Sequence, residues 1–353
     1  MASASRLAHL PVGSGYRSSF NGLVVTVFGG TGHIGRHLVN RLGREGTQIV
    51  TPCRSDDYYA KDLKVCGDLG AVRILPLSLN DEKSIFDSVK YSDVVINCIN
   101  RQYNRQLGRC TMAEINVDGA ERIARICREA GVERYVQMSS VGASEDHPSE
   151  YMRTRAAGEA AVRGAFPDAT IVRSCGHIGY FDRTLKFIRS NWFALLGFKP
   201  VVGGKYHTTV KYPVAVPDVA KGLIAAAMQS DAAGRTYELI GPDKLTVAEM
   251  YDLVFASLFK LYMPMPVPEQ LLRLSVLAHE FSARAPFFSR DEITRLYCSE
   301  EPTPGVPGFE ELEIVPSSAK FMIVDALRMY RSHYYEKVSY EDVMFEQQKS
   351  SSG

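Results

Sequence analysis

Residues 25–35 read Val25-Thr26-Val27-Phe28-Gly29-Gly30-Thr31-Gly32-His33-Ile34-Gly35, an apolar run that ends in glycines spaced three residues apart. The apolar run predicts a buried parallel strand at residues 23–28, and apolar residues at helical spacing predict a helix at residues 33–42. Residues 29–35, the glycine loop, therefore lie where strand turns into helix, and glycine there permits a close backbone approach. Because a helix N-terminus attracts anions, the loop is typical of a site for nucleotide phosphates. The alternative is a tight turn that binds no ligand.

The composition of the chain is that of a soluble globular protein. It has 353 residues, of which 45% are hydrophobic and 23% are charged, and this predicts one large domain or two modest ones. The net charge of +1 gives no reason to expect a nucleic acid partner. No stretch approaches about 18 consecutive apolar residues, which argues against a membrane-spanning helix. Seven cysteines without a Cys-x-x-Cys pair predict reduced thiols, and we predict no metal site.

The N-terminal arm, residues 1–22, lacks acidic residues. The first acidic residue of the chain is Glu45, and the first twenty residues carry Arg6, Arg17 and five serines. This composition is compatible with the end of a mitochondrial transit peptide or with an extended basic arm. An ordinary polar tail accounts for it equally well.

Arg54 directly follows the second predicted strand, residues 48–53, about twenty residues beyond the glycine loop. In nucleotide-binding units of this kind an acidic residue there accepts a hydrogen bond from the ribose 2′-hydroxyl, whereas an arginine accommodates a 2′-phosphate. The planar, permanently charged guanidinium therefore predicts NADPH rather than NADH as the cofactor. Asp56 and Asp57 are alternative ribose acceptors, and Arg54 would then only pair with one of them.

Strands and helices alternate along the first half of the chain. Such alternation predicts an α/β protein with a doubly wound parallel sheet of the Rossmann type, whose ligand lies beyond the carboxyl ends of the strands. We expect an NADP-binding Rossmann core at residues 23–175, a smaller C-terminal α/β region at residues 176–300 that is interleaved with the core, and an extended tail at residues 301–353. Further strands are predicted at residues 72–79, 93–99, 134–140 and 169–174, and further helices at residues 81–90, 111–131 and 151–163.

Two helices allow more detailed predictions. The helix at residues 81–90 is expected to bury Ile85, Phe86 and Val89. Asp218 is expected to cap the N-terminus of the helix that follows it.

Polar residues gather at the carboxyl ends of the predicted strands, where cofactor contacts are expected. Ser78 and Asn97 are also residue types that satisfy the backbone of turns, so a structural role is the alternative for both. The residues predicted to bind the cofactor are Gly29, Thr31, Gly32, His33, Ile34, Gly35, Arg54, Ser78, Asn97, Ser139 and Tyr151.

Tyr151 and Arg155 lie four residues apart on a predicted helix, so their side chains share one face. Without context this pair would indicate a solvated helix surface. Its position just after the fifth predicted strand makes it a candidate for the functional site.

Residues 250–288 contain more apolar surface than one helix pair normally hides. Apolar residues from Leu253 to Met265 run into a proline-rich break, and a second apolar run follows from Leu271 to Phe281. One interpretation is burial within the second region. The other is a face that docks onto a partner or a membrane surface.

Several different short motifs are distributed over nearly the whole chain. Beside the glycine loop, Ser140 and Tyr151, they include Arg17-Ser18-Ser19-Phe20-Asn21-Gly22, Thr51-Pro52-Cys53-Arg54, Asn116-Val117-Asp118-Gly119-Ala120 and Pro307-Gly308-Phe309-Glu310-Glu311-Leu312. In these motifs the chain resembles the extended and atypical short-chain dehydrogenase/reductase superfamily. Within it, the chain is similar to the family of nucleotide-binding accessory subunits of mitochondrial respiratory complex I.

This resemblance implies a peripheral subunit on the matrix side of the inner membrane, which contacts other complex I subunits and binds NADPH tightly. In active relatives a tyrosine is the acid/base, a lysine four residues on lowers its pKa, and a serine on the fifth strand orients the substrate. The matching positions here are Tyr151, Arg155 and Ser140, so the proton-transfer pair is altered. We therefore predict an accessory subunit with a structural or assembly role and a vestigial catalytic site. The alternative is a soluble NADPH-dependent reductase or epimerase that uses Tyr151 and Ser140.

Overall fold

A computed structural model describes residues 21–54, 57–104, 111–180, 182–190, 198–229, 231–282, 288–332, 335 and 337–344. The predicted arm up to residue 20, Asp56 and Cys110 lie outside the described residues. The six cysteines within them are free thiols. The predicted domain boundaries at residues 22, 175 and 300 stay predictions.

Within these residues, seven strands form one parallel sheet. Its order is non-sequential, because the chain moves outward from the first strand in one direction and then returns to build the other half. This is the doubly wound topology, with a crevice between the first and fourth strands at their carboxyl ends, and the predicted fold class is confirmed. The strands are β1 (Val24–Phe28), β2 (Gln48–Cys53), β3 (Val72–Pro76), β4 (Val94–Asn97), β5 (Arg134–Ser140), β6 (Thr170–Ser174) and β11 (Thr236–Leu239), in the order β11-β6-β5-β4-β1-β2-β3.

Helices cover both faces of the sheet. The alternating side chains of β1 show the division, since Val27 lies in the core on one face and Phe28 in the core on the other. The first face packs against α1 (His33–Arg44) and α7 (Val216–Met228), and the second against α2 (Glu82–Val89), α3 (Gly119–Glu129) and α4 (Glu150–Ala165).

The second region has its own apolar core, in which Phe255, Phe288 and Ile323 are buried. A capping box begins the helix after Thr246, because the side chains of Thr246 and Glu249 each accept a hydrogen bond from the backbone of the other. The small strands pair as β7 (His177–Ile178) with β10 (Val214–Ala215), β8 (Phe198–Val202) with β13 (Met263–Val267), and β9 (Val210–Lys211) with β12 (Leu245–Thr246). The helices are α5 (Arg183–Arg189), α6 (Gly203–Tyr206), α8 (Val247–Ser257), α9 (Glu269–Ser282), α10 (Arg290–Leu296) and α11 (Ala319–Leu327), and 3-10 helices span Asp57–Cys66 and Arg328–Tyr330.

The C-terminal segment, residues 301–331, packs on both parts of the molecule. Phe309 and Leu312 are buried in the core that α1 and α7 share, whereas Ile323 of α11 is buried in the core of the second region. Glu238 of β11 accepts hydrogen bonds from the backbone nitrogen and the hydroxyl of Thr303, at 2.9 and 2.8 Å. The segment therefore fastens the two parts together.

The predicted burial of Phe86 is wrong. Ile85 and Val89 are buried in α2, but the side chain of Phe86 is 44% exposed. Successive residues of a helix are rotated by about 100° because a turn holds 3.6 residues. Phe86 therefore points away from the sheet that Ile85 and Val89 face.

The predicted cap at Asp218 is also wrong. Helix α7 begins at Val216 with Ala215 as its N-cap, because Pro217 has a backbone angle that suits the first turn of a helix. The Asp218 carboxylate instead accepts hydrogen bonds from Lys221 and from the backbone nitrogen of Ser317, both at 2.7 Å. It thereby holds the C-terminal segment against α7.

Candidate functional site

The glycine loop connects β1 to α1 in a space that admits no side chain. A Cβ on Gly35 would lie 2.1 Å from the carbonyl oxygen of Gly29, and a Cβ on Gly30 would lie 2.5 Å from Cγ2 of Thr51 on β2. Gly29 itself has a positive φ of 81°, which side chains other than glycine rarely adopt. These glycines are thus required by the packing of α1 against β1 and β2.

The N-terminus of α1 has the features that a bound phosphate requires. Gly32 is the N-cap and provides no side-chain hydrogen bond, and the first turn carries no acidic residue. The first backbone amides of the helix are therefore open to an anion. A dinucleotide pyrophosphate fits this position, which opens onto a cavity at Thr31 and His33.

His33 is a neutral imidazole at this position. Its Nε2 atom is buried and has no hydrogen-bond partner among the described residues. Burial, together with the nearby imidazoles of His177 and His37, lowers its pKa to about 3. The unpartnered nitrogen is a polar atom for which a ligand in the cavity could supply the missing hydrogen bond.

Arg54 is exposed just beyond β2. No hydrogen bond or ion pair joins its guanidinium to another described side chain. Of its two predicted competitors, Asp56 lies outside the described residues and the side chain of Asp57 is not described.

Three other predicted cofactor residues are placed away from the cavity wall. Ser78 is exposed in the turn after β3, where its carbonyl oxygen accepts from the hydroxyl of Ser84 at 3.0 Å. The side chain of Asn97 is fully committed inside the protein, since it donates to Gln137 at 3.0 Å and accepts from the backbone of Ile99 at 3.0 Å. The hydroxyl of Ser139 is buried without a partner among the described residues.

Tyr151, near the start of α4, is the centre of the polar group that the structure does bring together. Its hydroxyl lies 3.2 Å from the hydroxyl of Ser140, at the end of β5, and accepts a hydrogen bond from Nδ2 of Asn100 at 2.9 Å. The guanidinium of Arg295, from α10, lies 4.4 Å from the centre of the tyrosine ring, and that of Arg155 lies 5.8 Å away. Side chains from β5, from the loop after β4 and from α10 therefore meet at this tyrosine, together with Arg155 of its own helix.

The pKa of Tyr151 reflects these neighbours. Burial alone would raise it, but the positive charges of Arg155 and Arg295 and the hydrogen bonds from Ser140 and Asn100 lower the pKa of Tyr151 below its ordinary value. The site therefore favours the phenolate more than a buried tyrosine normally would.

Arg155 acts on Tyr151 through its charge. Its Nη2 atom donates to the backbone carbonyl of Met138 at 2.6 Å, and its Nε atom has no partner among the described residues. A lysine would place its charge on a single compact ammonium, whereas this guanidinium is anchored on β5 by a neutral acceptor.

Sequence reasoning missed Asn116, which positions the loop that carries Asn100. A π-helical turn, Glu114–Asp118, interrupts the regular helix predicted at residues 111–131. Within it, Asn116 is buried, exchanges two hydrogen bonds of 2.9 Å with the backbone of Arg101, and donates to the hydroxyl of Thr154 at 3.1 Å. The loop after β4 is thereby held against α4.

Asn100 and Arg295 were also missed. The sequence could have identified Asn100 as a site residue, because it closely follows the fourth strand, where polar residues are expected to meet a ligand. The sequence could not have identified Arg295, because nothing near it in the sequence links it to Tyr151.

A cavity of about 550 Å³ joins these groups, and its size is within the range of small-molecule sites. One end opens at the glycine loop and the other lies against the second region. Polar or charged residues on its wall include Thr31, His33, Arg36, His37, Asn100, Gln102, Ser140, Tyr151, His177, Asp182, Arg183, Lys211, Glu292, Arg295 and Glu300, and apolar ones include Met138, Val141, Met152, Ile178, Met250, Phe288, Leu296 and Met329.

Residues 250–288 contain both buried and exposed apolar side chains, so each of the two interpretations of their sequence, burial or a docking face, applies to part of them. Leu253, Val254 and Phe255 of α8 are buried in the second core. Five apolar side chains of β13, α9 and the segment before β13 are exposed, namely Leu261, Met263, Met265, Leu271 and Leu274. No described helix has both the length and the apolar composition that a membrane crossing requires.

Comparison with known proteins gives consistent matches over most of the chain. Residues 25–241 match the NAD dependent epimerase/dehydratase family. The chain is 34% identical over 332 residues to subunit 9 of the mitochondrial NADH dehydrogenase (ubiquinone) 1 alpha subcomplex of Mus musculus, covering 92% of this chain and 85% of the relative. It is 35% identical over 323 residues to the mitochondrial NADH-ubiquinone oxidoreductase 40 kDa subunit of Neurospora crassa, covering 91% and 83%.

A solved structure supports the fold. The NADPH-dependent quinone oxidoreductase of Escherichia coli, in complex with NADPH, superposes with a TM-score of 0.66 over 87% of this chain and 100% of that chain, at 12% identity. Because the sequences are so different, this likeness concerns the fold alone.

Proposed function

Since the chain belongs to the NAD dependent epimerase/dehydratase family and to the family of subunit 9 of mitochondrial NADH dehydrogenase, we propose that it is an accessory subunit of respiratory complex I. In this role it lies peripherally on the matrix side of the inner membrane and contacts other subunits of the complex. It holds a tightly bound NADPH, which stabilises the folded subunit and supports assembly rather than turnover.

The open N-terminus of α1 carries this proposal. Gly32 leaves the first amides of the helix without a side-chain cap, and the neighbouring Nε2 of His33 has no partner among the described residues. Gly29, Thr31, Gly32, Ile34 and Gly35 would hold the pyrophosphate, and Arg54 would hold the 2′-phosphate. We propose that Asn97 and Ser78 contribute by shaping the strand ends rather than by touching the nucleotide.

Turnover is disfavoured by the replacement at position 155. A bound dinucleotide supplies a hydride, while the protein must supply a proton with matched geometry. Tyr151 holds a proton on its hydroxyl and the charge of Arg155 lowers its pKa, but the guanidinium is fixed on the carbonyl of Met138 and is not the compact ammonium of the active relatives. A cofactor that binds only the folded state then acts as a stabilising ligand by mass action.

Nucleotide analysis of the purified subunit tests the cofactor. The protein is denatured and the released small molecules are identified by mass spectrometry, with NADPH expected in near-equal amount to the protein. Release of NAD alone, or of no dinucleotide, contradicts the proposal.

A native gel tests whether the protein is a subunit of the complex. It should migrate with a very large respiratory assembly, and migration as a free protein contradicts the proposed assembly with complex I.

The exposed apolar side chains of Leu261, Met263, Met265, Leu271 and Leu274 form the proposed contact with a partner subunit or the membrane surface. Substitution of Leu271 and Leu274 by glutamate should weaken assembly and change the free energy of unfolding by less than about 0.5 kcal/mol each, as for other surface positions. Unchanged assembly contradicts this contact. Phe255 is unsuitable for the test because it is buried in the second core.

One observation favours a second function, that of an active NADPH-dependent reductase or epimerase. The pKa of Tyr151 is lowered although the residue is buried, because Arg155 and Arg295 oppose the effect of burial, and a lowered pKa suits a tyrosine that exchanges a proton. Hydride transfer that is lost in Tyr151→Phe and retained in Tyr91→Phe, at an exposed tyrosine, would support this function. Absence of hydride transfer in the wild type excludes it for the substrates tried.

A further inference from the structure

The cavity wall around Tyr151 contains a cation without a carboxylate of its own. Arg183 is paired with Glu292 through two hydrogen bonds of 2.7 and 2.9 Å, and Lys211 is paired with Glu300 at 3.0 Å. Arg295 approaches Glu292 only to 3.8 Å, and that carboxylate is already occupied by Arg183.

The guanidinium of Arg295 is held by weak contacts. Its Nη2 atom donates to Gln102 at 3.4 Å, and its Nη1 atom is buried without a partner among the described residues. The side chain is only 19% exposed, so water replaces few of the missing hydrogen bonds. The face of Tyr151 offsets part of the charge through a cation–π contact, and the nearest carboxylate, that of Glu292, lies 3.8 Å away and is shared with Arg183.

The remaining carboxylate on the cavity wall does not change this balance. Asp182 caps α5, and its oxygens accept from the backbone nitrogens of Thr184 and Leu185 at 3.2 and 2.9 Å. Arg155, which lies 5.8 Å from the centre of the Tyr151 ring, adds a second guanidinium that is bonded only to a neutral carbonyl. The surroundings of the Tyr151 hydroxyl are therefore positive.

Arg295 belongs to a different part of the protein from the glycine loop. It lies on α10, and the cavity residues Met250 and Phe288 belong to the core of the second region. These apolar residues provide a wall that suits a carbon skeleton rather than a phosphate. The charge and the wall together describe a site for a molecule with an anionic head and an apolar body.

We propose that this end of the cavity binds a small organic carboxylate, whose head pairs with Arg295 beside Tyr151 and whose body lies against Met250 and Phe288. The planar fork of a guanidinium matches the two oxygens of a carboxylate. The guanidinium of Arg295, which is part of the cavity wall, supplies the donors. This ligand is additional to the dinucleotide at the glycine loop and does not depend on the identity of that dinucleotide.

Isothermal titration of the full chain, as purified with its bound nucleotide, tests the site. The probe is 3-phenylpropionate, and its neutral counterpart 3-phenylpropanamide has the same shape without the charge. The carboxylate should bind at least about tenfold more tightly than the amide, because a hydrogen bond to a charged group is worth about 1.5–3 kcal/mol. Equal binding of the two probes, or no binding of the carboxylate in the millimolar range, overturns the proposal.

Variants assign the binding to Arg295. Arg295→Met keeps most of the side-chain length and should remove the preference for the carboxylate, whereas Arg125→Met, at an exposed arginine of α3, should keep it. Arg295→Lys retains the charge without the fork and should bind the carboxylate more weakly than the wild type, which gives a second test if Arg295→Met does not fold. A preference for the carboxylate that persists in Arg295→Met, or carboxylate binding that is undiminished in Arg295→Lys, overturns the proposal.

Two further measurements exclude the competing ligands. Inorganic phosphate that binds as tightly as 3-phenylpropionate, with the same dependence on Arg295, overturns the organic-acid class. Loss of the bound dinucleotide from Arg295→Met, measured by mass spectrometry, assigns Arg295 to the dinucleotide site and also overturns the proposal. Retained dinucleotide together with lost carboxylate binding supports it.

Discussion

The two ends of the cavity are built in different ways. At the glycine loop the site consists mainly of the backbone of residues 29–35, and a side chain at Gly35 is excluded because its Cβ would lie 2.1 Å from the carbonyl oxygen of Gly29. At the Tyr151 end the site consists of side chains from α4, α10 and the loop after β4. The first end is specified by local sequence, and the second exists only once the second region has packed against the sheet. Substitutions that act on one end and spare the other test this division.

The largest effect is expected from Gly35→Ala. The added Cβ would lie 2.1 Å from a backbone oxygen and 2.6 Å from the Cα of Gly30, so α1 must move away from β1. We expect the free energy of unfolding to fall by about 4 kcal/mol or more, as in severe overpacking, measured by urea denaturation. Gly164→Ala in α4, where nothing lies within 4 Å of the new Cβ, should instead stabilise by about 0.5–1 kcal/mol. Equal effects of the two substitutions would contradict the packing argument.

A smaller loss is expected from Glu300→Gln at the other end. Glu300 accepts hydrogen bonds from Lys211 at 3.0 Å and from the backbone of Gly176 at 3.2 Å, and the amide leaves the buried ammonium of Lys211 without its charge partner. Breaking a buried pair costs about 3 kcal/mol, again measured by urea denaturation. Glu82→Gln, in a surface pair with Arg125, should cost less than about 1 kcal/mol. Similar costs for both would show that the buried pair contributes no more than a surface one.

Arg54→Ala tests the glycine-loop end of the cavity alone, because it should change the preference for NADPH over NADH. If Arg54 contacts the 2′-phosphate, its removal should weaken NADPH binding by about tenfold or more, which corresponds to a charge-assisted hydrogen bond, and leave NADH binding unchanged. Fluorescence titration with each nucleotide measures the ratio. Arg44→Ala, at an exposed arginine at the end of α1, is the control. An equal loss for NADPH and NADH would assign Arg54 a general electrostatic role.

An effect that depends on pH is expected where the two ends meet, at His33 and His177, whose rings are 5.5 Å apart. Burial lowers the pKa of His33 to about 3 and that of His177 to about 4, from about 6.5 in an unfolded chain. Between these values the unfolded state binds more protons, so the stabilisation is complete above pH 6.5 and is lost as the pH falls toward 4. Each histidine contributes at most about 1.4 kcal/mol per pH unit to the slope of the free energy of unfolding against pH.

Urea denaturation between pH 7 and pH 5 measures this slope. The free energy of unfolding of the wild type should fall more steeply with acid than that of His177→Asn. Parallel pH profiles for the two proteins would mean that His177 titrates alike in the folded and unfolded states.

The main sheet and the glycine loop were predictable because their signals are local. An apolar strand, a glycine turn and an amphipathic helix follow one another directly in residues 23–44, and the same pattern recurs along the sheet. Helix phase was less predictable, as Phe86 and the π-helical turn around Asn116 show, because a rotation of one residue leaves the composition unchanged. The pairing of Arg295 with Tyr151 was not predictable, since tertiary packing alone brings α10 to α4.

The C-terminal segment completes both apolar cores of the protein, so neither core is complete until late in synthesis. Its residues Phe309 and Leu312 complete the core beneath the sheet, and α11 completes the core of the second region. A chain that is delivered N-terminus first, as in synthesis, therefore carries two unfinished apolar surfaces until its last residues arrive. Premature termination before Thr303 would leave both surfaces uncovered at once, so truncated chains should be recognised as misfolded before they can occupy the place of the intact subunit.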